Sequence, residues 1–335
     1  MTPKDPFIKK INASSTLAED QTMSKIAVIQ KPPKFLDREK TILEAVSLIG
    51  EAVSSGASLV VFPEAYIPGY PAWIWRLRPG SDYALSGDLH AQLVKNSVSL
   101  EGEDLRPLCE AAKQHRVTVV CGMDERDHEL SRGTIYNTVV VIGPDGELLN
   151  RHRKLMPTNP ERMVWGLGDA SGLKVVETPC GRIGTLICWE NYMPLSRYAL
   201  YAQGVEVYIA PTYDYGDGWI GTLQHIAREG RCWVIGSGTV LRARDIPETF
   251  PKKITLYPDP EEWINPGDSV VIKPGGKIVS GPMRNEEGIL YGEIDSDYVA
   301  VSRRTLDVAG HYSRPDVFQL HINRKPLKPV TFEFE

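Results

Sequence analysis

The sequence predicts one α/β domain, and three observations lead there. Strand-like apolar runs alternate with amphipathic helical stretches. Several of those runs are apolar almost throughout, as strands covered on both faces must be. No internal repeat or low-complexity linker divides the chain, so the alternation belongs to one unit. The chain has 335 residues, 42% hydrophobic and 24% charged, which suits a large globular domain with a sizeable core. Its formal net charge of -5 argues against a nucleic-acid binder, which needs a basic face. No apolar run approaches the roughly 18 residues of a membrane span. The polar start lacks the apolar centre of a secretory signal. The five cysteines form no CxxC pair, which argues against a zinc site or disulfide framework. The reading is a reduced, cytoplasmic protein with a loose N-terminal extension over 1–22, one domain over 23–325 and a tail over 326–335.

In chain order, Lys25 to Gln30 reads as a strand stopped by Lys31-Pro32-Pro33, since proline cannot continue a central ladder. Asp37 to Ser54 reads as a helix, because Ile42, Val46, Ile49 and Val53 recur at helical spacing, and Gly56 suits its end. Ser58 to Phe62 is a buried strand. Ala91–Ser97 and Leu105–His115 read as helices, and 117–122 and Ile135–Ile142 as strands. Gly143-Pro144-Asp145-Gly146 turns the chain into a partner strand over 147–150. Strands follow at 173–178 and 182–187, a helix at 195–203, a strand at 205–210, a helix at 222–229 and a strand at 232–236. The Pro-rich stretch 239–268 reads as a surface insertion. Short strands at 269–272, 277–280 and 288–293 close the domain, with a last helix over 298–306.

Three strand ends carry the chemistry. Cys188 ends the apolar strand Ile183-Gly184-Thr185-Leu186-Ile187, where open α/β sheets place reactive groups. Taken alone it is most simply a core cysteine, because free Cys is among the most buried residue types. Glu64 follows Val60-Val61-Phe62-Pro63, where desolvation suits a carboxylate to general-base work. Lys154 ends a basic run, Arg151-His152-Arg153, of the kind that is usually solvated. The apolar Leu155-Met156-Pro157 that follows could carry it inward, where it needs a carboxylate partner, Glu64 or Glu161. A nucleophile, a proton shuttle and a charge stabiliser make a set sufficient for acyl transfer. Tyr70, Trp165, Trp189, Tyr192 and Tyr213 border these ends and read equally as pocket walls or as core.

Phe62-Pro63-Glu64, Arg153-Lys154-Leu155-Met156-Pro157-Thr158 and Cys188-Trp189-Glu190-Asn191 together resemble the three catalytic motifs of the nitrilase, or carbon–nitrogen hydrolase, superfamily. The resemblance spans about residues 25–325. Cys188-Trp189-Glu190, Glu161-Arg162, Trp165-Gly166, Gly168-Asp169 and His311-Tyr312-Ser313-Arg314-Pro315-Asp316 are similar to the true nitrilase branch, with Ala170 standing where many relatives carry glycine. It implies a four-layer αββα sandwich and subunits paired through helices near the site, a dimer building block that can extend into spirals. It implies Cys188 as nucleophile, Glu64 as base, Lys154 as charge stabiliser and Glu161 as the residue that orients them. The substrates are then a small nitrile and water, with no metal or organic cofactor, and the aromatics favour aryl or arylaliphatic nitriles. The rival readings are an amidase or carbamoylase with the same triad, a nitrile or cyanide hydratase, and, more remotely, a non-catalytic assembly protein.

Overall fold

Period-two alternation within single strands decides the layering. In the first strand, β1 (Met23–Gln30), Ile26 and Val28 face one buried cluster, and Ala27 and Ile29 face another on the opposite side. The computed structural model describes residues 23–128 and 131–326 together with Lys328, Val330 and Glu333. The expectations for residues 1–22 and for most of 326–335 lie outside the described residues. After β1 come α1 (Arg38–Ser54), β2 (Leu59–Val61), α2 (Tyr83–Asn96), α3 (Arg106–His115), β3 (Thr118–Arg126), β4 (Ile135–Ile142), β5 (Leu148–Arg153), β6 (Val176–Thr178) and β7 (Gly181–Thr185). Then follow α4 (Pro194–Tyr201), β8 (Val207–Thr212), α5 (Asp217–Glu229), β9 (Trp233–Gly238), β10 (Val240–Arg242), α6 (Lys253–Leu256), β11 (Trp263–Lys273), β12 (Lys277–Arg284), β13 (Gly288–Asp295) and α7 (Asp297–Arg303).

Two sheets form. One has the order β13-β1-β2-β3-β4-β5, and the other β10-β11-β9-β8-β7-β6 with β12 pairing β11. β1, β2 and β3 are parallel neighbours, as are β7, β8 and β9, so each sheet has a parallel centre whose strands end on the same side. Ile26, Val28, Leu59, Val61 and Val120 of the first sheet pack against Ile183, Val207, Ile209, Ile235 and Val271 of the second. The outer face of the first sheet is covered by Ile42, Ala45, Leu48 and Ile49 of α1 and Leu108, Ala111 and Ala112 of α3. Leu200 of α4 and Trp219, Leu223 and Ile226 of α5 cover the second. The result is a four-layer αββα sandwich. Each fully buried Val, Leu or Ile contributes about 1.5–3 kcal/mol, so the three apolar layers supply the dominant stabilisation. No helix among the described residues is long and apolar enough to cross a membrane.

The structure corrects the expected surface insertion over 239–268. Leu241, Ala243, Ile246, Phe250 and Tyr257 are buried, packed with Phe35, Tyr70 and Trp73 in a fourth cluster over the strand ends. The prolines break periodicity without excluding burial, and β11 runs straight through Asn265-Pro266-Gly267. β3 also runs four residues past Gly122. β5 takes in Arg151-His152-Arg153, because Glu125 on β3 binds both arginines and supplies what water would otherwise give. α2 begins well ahead of Ala91, since its first turns are too polar and exposed to show an apolar stripe.

Candidate active site

Each central residue leaves a strand at the same end of the sandwich. Glu64 comes two residues after Phe62, and the neighbouring strand β3 runs close alongside it. A side chain at Gly122 would collide with the Pro63 carbonyl and lie 2.9 Å from the Glu64 Cα, so that approach requires glycine. Lys154 follows β5 and Cys188 follows β7. Cys188 opens a single 3-10 turn, Cys188–Tyr192, with φ at 51°, a left-handed value that costs an L residue of this kind about 1–2 kcal/mol. The surrounding bonds maintain that turn. Asn191 donates from Nδ2 to the carbonyls of Cys188 (2.7 Å) and Leu186 (3.0 Å), and Tyr208 donates its hydroxyl to Asn191 Oδ1 at 2.6 Å.

Glu64, Lys154 and Glu161 form a fully buried ionic trio. Lys154 Nζ donates to Glu64 Oε1 at 2.8 Å and to Glu161 Oε2 at 2.7 Å, so it takes both of the partners its sequence context offers. Glu64 Oε1 also accepts from Asn137 Nδ2 at 2.7 Å, and Oε2 from the Tyr213 backbone N–H at 2.6 Å. Glu161 accepts from the Tyr70 hydroxyl at 2.7 Å and from the Thr158 N–H at 2.6 Å, while Trp75 Nε1 donates to the Tyr70 oxygen at 3.0 Å. Burial raises the Glu64 carboxyl above the ordinary carboxylate range; Lys154 opposes that rise and the second carboxylate, Glu161, adds to it. Burial works against a charged Lys154, but Glu64, Cys188 and Glu161 together outweigh it and hold the ammonium protonated. Burial and Glu64 push the Cys188 thiol up, with Lys154 pulling the other way, so the thiol is neutral at rest and needs a base.

A cavity of about 370 Å³ opens onto Cys188, and Tyr70, Glu161, Trp189 and Tyr213 line it. The Tyr70 and Tyr213 rings stack at 3.6 Å, only 6° from parallel. Trp189 Nε1 donates to Asp214 Oδ2 at 2.9 Å across the cavity mouth. Trp165 and Tyr192 stand elsewhere. Trp165 is buried behind Tyr70, its Nε1 donating to Asp124 Oδ1 at 2.6 Å, and Tyr192 packs edge-on against Trp189 with its hydroxyl 3.4 Å from Asp214. Sequence reasoning passes over Asn137 and Asp124, and it quotes Glu190 within the cysteine motif without giving it a role. Glu190 is buried and accepts from Ile187 N (2.7 Å), Leu155 N (2.7 Å) and His152 Nε2 (3.0 Å), which ties the cysteine turn to the lysine strand. Its place two residues after Cys188, at the start of a turn, is the only sign of this in the sequence.

Residues 25–304 match the family model described as carbon-nitrogen hydrolase. The chain belongs to that family. Among its carbon–nitrogen hydrolase relatives, an aliphatic nitrilase of Sinorhizobium fredii (strain HH103) is 40% identical over 310 residues, 92% of this chain and 98% of that protein. Nitrilase 3 of Arabidopsis thaliana is 38% identical over 326 residues, covering 96% and 93% of the two chains. A bifunctional nitrilase/nitrile hydratase of Lupinus angustifolius is 38% identical over 98% of this chain and 93% of its own. The chain is thus a member of the nitrilase branch and an enzyme acting on carbon–nitrogen bonds. Saccharomyces cerevisiae Nit3, of the nitrilase superfamily, superposes with a TM-score of 0.67 at 20% identity over 87% of this chain and 96% of its own, sharing the fold.

Proposed function

We propose that this enzyme hydrolyses an organic nitrile to a carboxylic acid and ammonia through a covalent intermediate on Cys188. The observation that carries the reading is Lys154 clamped between Glu64 and Glu161 at the strand ends where Cys188 floors the cavity. Glu64 takes the thiol proton and passes it to the nitrile nitrogen as the Cys188 sulfur bonds to the nitrile carbon, giving a thioimidate and leaving Glu64 ionised again. Lys154 and the backbone N–H groups of the Cys188 turn stabilise the charge that develops. Water activated by Glu64 adds to the carbon, ammonia leaves, and a second water releases the acid from the thioester. Glu161, fixed by Tyr70 and Thr158, keeps Lys154 aimed between the two carboxylates.

The stacked Tyr70 and Tyr213 with Trp75, Trp189 and Ile264 favour a neutral aryl or arylaliphatic nitrile, because Arg76 at the wall is already paired with Glu262. A partial hydratase outcome, with release of amide, is the second reading, and the bifunctional lupin relative favours it. Four buried and one half-buried free thiols fit a reducing, cytoplasmic setting. Pairing of two copies fits the exposed apolar side chains of α4 and of the chain beyond α7, Leu195, Tyr312, Val317 and Phe318.

The test is product analysis on phenylacetonitrile, benzonitrile, an aliphatic dinitrile, cyanide and the matching amides, with wild type and Cys188→Ala. Acid and ammonia from nitriles, abolished in a folded Cys188→Ala enzyme, is the expected result. Turnover of amides alone would move the chain to amidase chemistry, and a fully active Cys188→Ala variant would end the covalent reading.

A further inference from the structure

We infer that Asp124 is a neutral carboxylic acid whose Oδ2–H donates to Asn137 Oδ1 and thereby holds the Asn137 amide with its N–H toward Glu64. The inference rests on the reading of Glu64 as the catalytic base and deepens it. Asp124 and Asn137 are directly opposed residues of the antiparallel pair β3–β4, so their side chains rise from the same face of the sheet as close neighbours. Both are buried, and each carries one oxygen that no protein donor reaches: Oδ2 of Asp124 and Oδ1 of Asn137. Their other polar atoms are engaged, Asp124 Oδ1 by Trp165 Nε1 at 2.6 Å and Asn137 Nδ2 by Glu64 Oε1 at 2.7 Å.

Two lone acceptors on opposed buried residues represent a contradiction that one proton removes. An ionised Asp124 would leave both oxygens without a donor, each costing about 1–3 kcal/mol. Turning the Asn137 amide over would satisfy Asp124 but would aim Oδ1 at Glu64 Oε1, acceptor against acceptor. Among protein groups, a protonated Asp124 is the donor that permits both bonds at once, giving the line Asp124 Oδ2–H to Asn137 Oδ1 and Asn137 Nδ2–H to Glu64 Oε1. The surroundings agree. Burial lifts the Asp124 carboxyl well above the ordinary carboxylate range, the Trp165 bond opposes the rise and the charge on Glu64 adds to it. The ionisable groups around the pair are Glu64 from the loop after β2 and Lys154 from the end of β5, with Glu161 beyond Lys154. Asp124 is therefore a positioning residue, acting on the base through Asn137.

The experiment compares Asp124→Ala with Asp124→Asn. The alanine variant leaves Asn137 free to turn, and kcat/KM is expected to fall about 10²-fold, as misplacement of a reacting group does. Its lower pH limb should move upward, because the Asn137 bond favours ionised Glu64. Asparagine retains an acceptor for Trp165 and supplies an N–H to Asn137 Oδ1, so it should rescue most of the loss and restore the limb. The infrared difference between wild type and Asp124→Asn at neutral pH should contain a protonated-carboxyl carbonyl band. The proposal is overturned if folded Asp124→Asn is as impaired as Asp124→Ala, or if that difference contains only ionised-carboxylate bands. The infrared result does not depend on turnover, so it stands even if the Cys188 variant disproves the covalent reading.

Discussion

As the proposed base, Glu64 must be basic enough to take a buried thiol's proton and yet remain ionisable, and its surroundings pull both ways. A base for a thiol held neutral by burial must itself be stronger than an ordinary carboxylate. Burial and Glu161 raise Glu64, while Lys154, Asn137 and the Tyr213 N–H keep it ionisable. The sign follows: Glu64 is active when ionised, its carboxyl is raised from 4.5, and activity must therefore appear at a higher pH than a surface glutamate would allow. The lower limb of the kcat/KM profile is expected above the ordinary carboxylate range, and Lys154, held protonated, adds no step near neutrality. A profile already flat at pH 4.5 would contradict this account of Glu64. The same elevation carries a stability cost. A carboxyl raised by folding stabilises the native state below its unfolded value, and this contribution is lost as pH rises through its folded value.

At the scale of elements, the site is held by the joint between β5, β7 and the 3-10 turn. Glu190 is the centre of that joint, accepting from the strand end at Ile187, the segment after Lys154 and His152. Glu190→Gln replaces one acceptor oxygen by a donor facing another donor, an unmet buried pairing of about 1–3 kcal/mol. We expect a lower melting temperature and a large loss of kcat with little change in KM, and unaltered melting and kcat would dismiss the joint. This is also where the legibility of the sequence ends. Strand centres such as Ile26–Ile29 and Val207–Ala210 are readable because both faces are apolar, and Glu64, Lys154 and Cys188 stand out as polar residues just past such runs. The 239–268 segment misleads because its burial depends on distant partners, Tyr70 and Trp73, that no local pattern encodes. Arg151 and Arg153 mislead because Glu125 neutralises them from another strand. Among the aromatics, the sequence cannot separate Tyr70 and Tyr213, which line the cavity, from Trp165, which packs behind it.

For the whole molecule, the question is whether one copy suffices. α4 begins immediately after the cysteine turn. Arg197 on α4 donates from its guanidinium to the Asn191 carbonyl at 2.7 Å and pairs with Glu229 of α5, and Asn191 in turn holds the Cys188 carbonyl. Anything that fixes α4 therefore fixes Cys188, the proposed nucleophile. Yet the outer face of α4 and the chain beyond α7 leave Leu195, Val317 and Phe318 from 55% to 78% exposed around one groove, the surface on which the proposed pairing of two copies rests. A second copy, related by a two-fold axis, would bury this surface against its own equivalent. Sedimentation of the wild type should then give a dimer or a multiple of it. Leu195→Asp combined with Phe318→Asp, neither of which lines the Cys188 cavity, should give a folded monomer with lower kcat, because α4 loses the support that steadies Arg197 and the Cys188 turn. Sedimentation unchanged by the double substitution would place the subunit contact elsewhere, and a monomer with full activity would break the link from α4 to the nucleophile.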